Sequence, residues 1–297
     1  MTAREPVAGI WGFYPLDKDL LLKSIKRCYL DKEFGPGKLP EDKSQESVHG
    51  GIAPHAGYTY SGPCTAWLYL DLAEKSVDFD TVVVIGTNHT GFGGDLTTTS
   101  AFDEWITPLG RVLVDMEVVR GLLGDMRGIV DNRRAHEQEH SIEVQIPFAQ
   151  FALKGDWRLV PIVTKPFTPD KARYYAENIM KVLGDLDRKP LFIVSSDFTH
   201  HGPMYGYVLY TVNPIDKVGE LDRSFIKKIT EKDTIGFFNM VREYNSTICG
   251  WPGIMILMEI ARGKGWELRL LKYYNSGELT GDPSVIVGYS SLSMRES

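Results

Sequence analysis

The chain of 297 residues contains little cysteine, little net positive charge and no long apolar run. Its three cysteines are too few and too scattered for a disulfide framework and fit a reducing compartment. The net charge of −6 argues against a general nucleic-acid-binding protein, which needs a basic surface to contact phosphates. The run "WPGIMILMEIA" is too short to cross a bilayer, and the N-terminus has no signal-peptide core. We therefore expect a cytoplasmic protein that binds neither nucleic acid nor membrane.

The remaining composition is that of an ordinary globular protein, with 43% hydrophobic and 24% charged residues. Only one long segment, "KEFGPGKLPEDKSQES", lacks an apolar period. We therefore predict a single domain over residues 1–297, in which residues 1–46 form an N-terminal extension with one helix and a flexible loop. Domains of this size often form homo-oligomers, and the sequence leaves the oligomeric state open.

From residue 48 onward, predicted strands alternate with predicted helices. The runs "TVVVIG" and "PLFIVSS" are continuously apolar or β-branched, which is typical of strands buried on both faces. The segment between them includes "PDKARYYAENIMKVLGDL", which has the period of an amphipathic helix. This alternation predicts an α/β fold with a central mixed, largely parallel sheet and helices on both faces. In such folds ligands bind outside the carboxyl ends of the strands.

Most of the seven histidines lie in loops that follow predicted strands or precede a helix. The segments "GGIAPHAG", "TVVVIGTNHTGFGG" and "PLFIVSSDFTHHG" each run from a strand into a polar loop, which contains His55, His89, or Asp197 and His200. One histidine in such a place is usually a loop residue that makes a structural hydrogen bond. Three such loops on one sheet would meet at one edge, so we predict a shared site there.

A further segment, "AHEQEH", satisfies the zinc-protease pattern H-E-x-x-H with His136 and His140. That reading requires the motif to lie inside a helix and a third ligand downstream. The apolar helical period, "HSIEVQIPFAQFALK", begins only at His140, so we predict that the motif leads into a helix. We favour a pocket role for His140 and Glu143.

The segment "SSDFTHH" combines an acid with a base. Asp197 and His200 are three residues apart, close enough for the carboxylate to orient the imidazole as a general base. The neighbouring Ser195 and Ser196 suggest a serine hydrolase, but the G-x-S-x-G elbow is absent. We therefore assign Asp197 and His200 to catalysis and Ser196 to the substrate pocket.

The third cysteine, Cys249, lies at a loop-to-helix junction in "YNSTICGWPG". Most free cysteines are small buried hydrophobic residues, and we interpret Cys28 and Cys64 in this way. A position before a helix N-terminus instead favours the thiolate, the form that binds metal or attacks a substrate. Cys249 is therefore a candidate metal ligand or nucleophile.

Five motifs in this order, "IAPHAGYTYSG", "IGTNHTGF", "EHSIE", "VSSDFTHH" and "NSTICG", resemble the Memo family, protein B of the AmmeMemoRadiSam grouping. That family is similar in fold to the class III extradiol dioxygenases (LigB-like), whose non-haem Fe(II) is held by two histidines and a carboxylate. The resemblance implies that His55, His89 and Cys249 bind one metal ion. It also implies that Trp11 and Tyr60 lie at the rim of the same pocket.

The cysteine replaces the carboxylate of the dioxygenases, which shifts the metal preference towards copper or zinc. We expect Fe(II) or copper, with zinc as the third choice. The first interpretation is a metal-dependent oxidoreductase in which Asp197 and His200 move protons. The second is a non-catalytic protein that binds a small molecule or peptide in the same pocket, or handles metal. A third is a thiol nucleophile, with Cys249 activated by His55 or His89.

Overall fold

The structure, a computed structural model, describes residues 2–41 and 46–296. The strands in these ranges are β1 (Ala3–Arg4), β2 (Val48–Ala53), β3 (Thr81–Thr87), β4 (Leu96–Thr98), β5 (Glu104–Thr107), β6 (Gly110–Leu113), β7 (Ile129–Asp131), β8 (Arg158–Thr164), β9 (Pro190–Ser195), β10 (His200–His201), β11 (Glu267–Asn275) and β12 (Ile286–Arg295). The helices are α1 (Val7–Ile10), α2 (Lys18–Leu30), α3 (Tyr58–Lys75), α4 (Met116–Asp125), α5 (Arg134–Glu137), α6 (Gln145–Ala152), α7 (Pro169–Asp185), α8 (Pro214–Thr230), α9 (Thr234–Glu243), α10 (Trp251–Lys264) and α11 (Ser276–Thr280).

A mixed nine-stranded sheet forms the centre of the described part of the molecule. Its strands follow the order β10-β12-β2-β9-β3-β8-β4-β7, and β11 pairs with β12 outside this path. Strands β2, β9, β3 and β8 are parallel neighbours, whereas β12 is antiparallel to β2. A separate three-stranded sheet has the order β1-β5-β6. The predicted α/β fold with a mixed, largely parallel centre is confirmed.

Both faces of the central sheet are covered by helices because the side chains of its inner strands alternate between two apolar cores. Val83 and Ile85 of β3 pack into the core formed with α7 and α10. Val82 and Val84 pack into the opposite core, with α3 and α6. Complete burial of each such side chain stabilises the fold by about 1.5–3 kcal/mol. The continuous apolar run of β3 is therefore what a strand covered on both faces requires.

Several element boundaries differ from the sequence prediction. Helix α6 begins at Gln145, whereas the apolar pattern predicted a helix from His140. The intervening residues form turns in which backbone and carboxylate hydrogen bonds take the place of a helical first turn. The shortest elements, including β1, β10 and α11, have too few residues for a periodic signal.

The segment predicted as a flexible loop, ending at residue 46, falls partly on residues 42–45, which lie outside the described residues. Its described residues 33–41 contain no helix or strand. None of the helices in the described ranges is both long and apolar enough to span a bilayer.

Candidate functional site

Three side chains from distant parts of the chain meet at the carboxyl ends of the central strands. His55 follows β2, His89 follows β3, and Cys249 directly precedes Gly250, the N-cap of α10. Nε2 of His55 lies 3.2 Å from Sγ of Cys249. One ligand atom from each of the three residues lies within 4.8 Å of the other two. The structure therefore brings together the three residues that the sequence analysis assigned to metal binding.

The hydrogen bonds around His55 define which of its ring nitrogens carries the proton. The Ser195 hydroxyl donates to the Ser141 carbonyl at 2.6 Å and accepts from Nε2 of Gln145 at 2.9 Å. Its remaining contact, with Nδ1 of His55 at 3.1 Å, must therefore be one in which Ser195 accepts. Nδ1 thus carries the proton, and Nε2 presents its lone pair towards Cys249.

His89 is oriented by the buried carboxylate of Glu139. Its Nδ1 lies 2.9 Å from Oε1 of Glu139, and its backbone N–H donates to Oε2 at 2.6 Å. Burial alone lowers the pKa of His89, but the hydrogen bonds with Cys249 and Glu139 outweigh this and raise the pKa to about 9. This arrangement leaves Nε2 of His89 for the shared site.

Glu139 itself is held by four hydrogen-bond donors. Besides the two from His89, the backbone N–H groups of His140 and Ser141 both donate to it at 2.9 Å. Burial alone raises the pKa of Glu139, but the hydrogen bond and charge of His89 lower it to about 2. The sequence analysis did not single out Glu139. Its position next to His140 in "EHSIE" was the available signal.

Glu143 is fully buried and faces the N-terminal segment. Its carboxylate forms an ion pair with Arg4 and accepts from the Tyr14 hydroxyl at 2.5 Å. It also accepts from the backbone N–H groups of Val7 and Ala8, at 2.9 and 2.8 Å, in the first turn of α1. Glu143 is not among the residues that line the cleft above the candidate ligands. It anchors the N-terminal segment against the site.

That N-terminal segment forms one wall of the site. The Phe13 ring lies 4.5 Å from the His140 ring, which stacks on His89 at 4.6 Å. The Phe13 carbonyl accepts from the backbone N–H of Tyr58, at the first residue of α3. Burial lowers the pKa of His140 to about 3, so this imidazole is neutral at neutral pH. His140 is thus a packed, uncharged wall of the site.

Asp197 stabilises the loop that carries His55. Its Oδ1 accepts from the backbone N–H groups of His55 and Ala56, at 2.7 and 3.3 Å. Its Oδ2 lies 4.0 Å from Nε2 of His200, which is beyond hydrogen-bond distance. The carboxylate is therefore near His200 without holding it.

Two backbone carbonyls orient the His200 ring instead. Nδ1 lies 3.0 Å from the Phe198 oxygen and 3.2 Å from the Thr247 oxygen, so it carries the proton. The prediction that Asp197 orients the imidazole by a hydrogen bond is wrong for this geometry. The reason is that the turn after β9 directs Nδ1 towards main-chain acceptors.

Ser196 lies beneath Cys249 and does not line the cleft, contrary to the sequence prediction. Its hydroxyl donates to the Asp197 carbonyl at 2.8 Å and accepts from the Gly250 N–H at 2.9 Å. A Cβ on Gly250 would approach the Cβ of Ser196 to 2.5 Å, so only glycine permits this contact. Ser196 therefore fixes the start of α10, and with it Cys249, against the end of β9.

A cleft of about 610 Å³ opens above His55 and His89, and Cys249, with Sγ 3.2 Å from Nε2 of His55, lies just outside its lining. His55, His89, His140, Asp197 and His200 line its floor and walls, and the half-exposed Tyr60 lies at its rim. Trp11 lines a second cleft, of about 580 Å³, which shares His89 and His140 with the first. Trp11 is therefore adjacent to the main cleft but not part of its lining.

The remaining histidines lie away from the site. Nε2 of the fully buried His136 lies 3.2 Å from the Thr97 carbonyl, and neither possible ligand group among the described residues contains His136, which argues against the zinc-protease interpretation. His49 stacks on Trp266, and His201 accepts from the backbone N–H of Tyr210. Within the described ranges, a second possible ligand group, of His89, Glu139 and His140, reuses atoms that already form hydrogen bonds.

Comparison with known proteins agrees with the resemblance seen in the five motifs. The profile of the Memo-like protein family matches residues 4–293. A MEMO1 family protein of Methanopyrus kandleri is 38% identical over 297 residues, which cover 99% of both chains. A relative in Desulfurococcus amylolyticus is 37% identical over 98% of this chain and 99% of its own. One in Thermotoga neapolitana is 35% identical over 97% and 98%. The chain therefore belongs to the Memo-like family.

Proposed function

We propose that this protein binds one transition-metal ion through His55, His89 and Cys249, and that it is a metal-dependent oxidoreductase acting on a small molecule in the cleft. The observation that carries the proposal is the meeting of three ligand atoms within 4.8 Å of one another beneath an open cleft of about 610 Å³. Three protein ligands leave coordination positions open, which is a property of catalytic metal sites.

The chemistry of the three donors fits a metal ion. In both imidazoles Nδ1 is engaged with an oxygen, of Ser195 or of Glu139, so that Nε2 is left as the ligand. Metal-binding histidines in proteins have this outer partner. Two imidazoles and a thiolate suit copper, zinc or iron, and we favour Fe(II) or copper because zinc has no redox chemistry. The bound metal would supply Lewis-acid and electron-transfer chemistry.

His200 is the residue that we propose to move a proton to or from the ligand. Its Nδ1–H is directed at two carbonyls, so Nε2 is an acceptor that faces the cleft. Burial lowers the pKa of His200, which keeps the imidazole neutral and able to accept a proton. Asp197, with Oδ2 at 4.0 Å, would stabilise the imidazolium once it forms. General-base assistance of this kind contributes about 10²–10⁴ in rate.

Metal content after anaerobic purification tests the metal site. We expect close to one equivalent of metal in the wild type and its loss in Cys249→Ser. The matched control is Cys64→Ser, because Cys64 is fully buried and lies outside the cleft. A metal-free wild type that also takes up no Fe(II), Cu(I) or Zn(II) would overturn the metal proposal.

Oxygen uptake by the Fe(II)- or copper-loaded protein separates an oxidoreductase from a protein that only binds. With phenol and amine test compounds, we expect uptake in the wild type and a loss of about 10²-fold or more in His200→Gln. A fully loaded protein that consumes no oxygen with any compound supports the alternative, a non-catalytic protein that uses the cleft for a ligand or for metal handling.

Replacement of Glu139 tests the outer partner of His89. Glu139→Gln removes the charge that orients the ring, and we expect the metal affinity to fall by about 10–100-fold. Competition with a chromophoric chelator measures the affinity. Glu137→Gln is the control, because Glu137 lies two residues away and pairs with Arg133 at the surface. Equal affinities in the two variants would contradict the role of Glu139.

A further inference from the structure

The cleft above the proposed metal ligands combines aromatic rings with negative charge. The rings of Phe13, Tyr60, Tyr205 and Tyr289 line it, together with the carboxylates of Asp197 and Asp282. Among the described residues that line it there is no lysine and no arginine. His89, whose pKa is raised to about 9, already pairs with Glu139 at 2.9 Å, so an anionic ligand would find no unpaired cationic side chain among the described residues that line this cleft.

Asp197 presents an open acceptor to the cleft. The residue is only 4% exposed, and its Oδ1 is occupied by two backbone N–H groups. Its Oδ2 receives no hydrogen bond from residues within the described ranges, and the nearest cationic candidate, Nε2 of His200, is 4.0 Å away. Because Asp197 lines the cleft, its Oδ2 is an acceptor that a ligand N–H group entering the cleft can bind.

A second carboxylate, Asp282, is fixed at the mouth of the cleft. It follows α11, and its Oδ1 accepts from the backbone N–H and the hydroxyl of Ser284, at 2.8 and 2.6 Å. The two carboxylates thus lie at different depths of one cleft, one on the floor and one at the mouth.

A bound metal ion does not make the net charge of the cleft positive. A divalent ion and the Cys249 thiolate together contribute one positive charge, and Asp197 and Asp282 contribute two negative charges. The loaded cleft keeps a net negative charge. In the metal-free cleft the positive charge of His89 is balanced by Glu139, 2.9 Å away, so Asp197 and Asp282 again leave a net negative charge. A cation is favoured in both states.

We propose that the ligand of this cleft is a small organic cation, an amine with an aromatic body. Its ammonium group would pair with a carboxylate, and its ring would pack among the aromatic side chains, which also attract cations through their faces. The inference rests on the proposed function in placing the reacting end of the amine beside the metal ligands. The charge preference itself follows from the lining alone.

The second cleft, which is lined by Trp11, favours an anionic ligand instead of a cationic one. Arg134 lines it, with the guanidinium 3.8 Å from the centre of the Phe92 ring. An anionic ligand that extended past His89 and His140 would end at this arginine. The two clefts therefore make distinguishable predictions about ligand charge.

Binding of three matched phenols to the Zn(II)-loaded protein tests the proposal by calorimetry at pH 7. Tyramine carries an ammonium group, 4-ethylphenol is neutral, and 3-(4-hydroxyphenyl)propionate carries a carboxylate. We expect tyramine to bind about tenfold or more tightly than the propionate, with 4-ethylphenol between them. Asp282→Asn should weaken tyramine several-fold without changing 4-ethylphenol. Asp78→Asn, at an exposed site outside the cleft, should change neither.

Tighter binding of the propionate, equal binding of the three compounds, or no binding by any at millimolar concentration would overturn the proposal. If the propionate binds best and Arg134→Gln removes its advantage, the ligand occupies the adjoining cleft. The metal content of the same samples separates the two proposals. If the protein prefers tyramine but takes up no metal, only the metal-site proposal is overturned. If the metal-loaded protein does not prefer tyramine, only the cation proposal is overturned.

Discussion

The two ends of the central sheet carry clefts of opposite character. The amino-end groove, of about 1060 Å³, is lined by Asp80, Asp115, Arg158 and Arg188 near the starts of β3, β8 and β9. The carboxyl-end cleft, defined above by His55, His89 and Cys249, is smaller, at about 610 Å³. In the groove, charged side chains neutralise one another, as where Arg188 pairs with both Asp115 and Glu117. Volume alone would select the end that lacks the three candidate metal ligands.

What distinguishes the carboxyl-end cleft is the support beneath it. The carboxylates of Glu139, Glu143 and Asp222 are fully buried, and each accepts several hydrogen bonds. Those bonds fix side chains and loops so that the imidazoles of His55 and His89 face the cleft. In the groove, Arg188 is 24% and Glu117 67% exposed, so their pair lies closer to water and is weaker, although the other partner of Arg188, Asp115, is buried. The following substitutions test this contrast.

The largest effect is expected at Glu143. Glu143→Gln leaves the guanidinium of Arg4 buried without its counter-charge, and both side chains are at most 1% exposed. We expect the free energy of unfolding to fall by about 3–5 kcal/mol in urea denaturation. Glu137→Gln, in the same segment but paired at the surface with Arg133, should stay within about 0.5 kcal/mol of the wild type. If the free energy of unfolding falls by similar amounts in the two variants, the buried carboxylate of Glu143 matters no more than the surface carboxylate of Glu137, which contradicts the prediction.

An effect of pH is expected at Asp222. Burial raises the pKa of Asp222 from 3.8 to about 6, although hydrogen bonds from Thr199 and Tyr273 oppose the rise. The folded state therefore favours the protonated acid. This stabilising contribution is fully present below about pH 3.8 and is lost as the pH rises through about 6.

In Asp222→Asn the side chain stays neutral at every pH. This variant therefore does not lose stability as the pH rises through about 6. Its free energy of unfolding, relative to the wild type, should increase by about 2 kcal/mol between pH 4 and pH 7. Urea denaturation at several pH values measures the difference. Asp216→Asn, at an exposed position in the first turn of α8, should show a difference that does not change with pH. If the difference in unfolding free energy between Asp222→Asn and the wild type does not change with pH, the carboxylic acid of Asp222 is already charged in the folded state.

The smallest effect is expected in the amino-end groove. Glu117 is 67% exposed in its pair with Arg188, so Glu117→Gln should cost less than about 1 kcal/mol, and 0.5 M salt should reduce the cost further. The metal content should equal that of the wild type. If Glu117→Gln lowers the free energy of unfolding by more than about 2 kcal/mol, the ion pairs of the groove contribute as much to stability as the buried carboxylates beneath the cleft.

The meeting of His55, His89 and the Asp197 loop was predictable because each follows a predicted strand, and for His89 and Asp197 that strand is a continuous apolar run. Parallel strands bring their carboxyl ends to the same edge, and β2, β9 and β3 are direct neighbours. The sequence did not reveal that these strands are adjacent. It indicated only that they share a sheet.

The N-terminal wall was not predictable from pattern. Arg4 and Glu143 are 139 positions apart, and nothing local to residues 3–14 indicates where that segment packs. From the sequence, residues 1–46 are predicted to be an extension, and only the resemblance to the Memo family implies that Trp11 lies at the rim of the pocket. Glu139 was missed for a related reason, since its role depends on contact with His89 across 50 positions.

The order of the strands has a consequence for the timing of synthesis. His55 and Cys249, which are 3.2 Å apart in the fold, are separated by 194 positions in the chain. At 5–20 residues per second, about 10–40 seconds pass between the appearance of the first and the last of the proposed ligands. Strand β12, which pairs with β2, is made later still. Until then one edge of β2 has no partner strand, and an unpaired edge of that kind invites aggregation. Metal would therefore reach its complete site only on a chain that is almost fully synthesised.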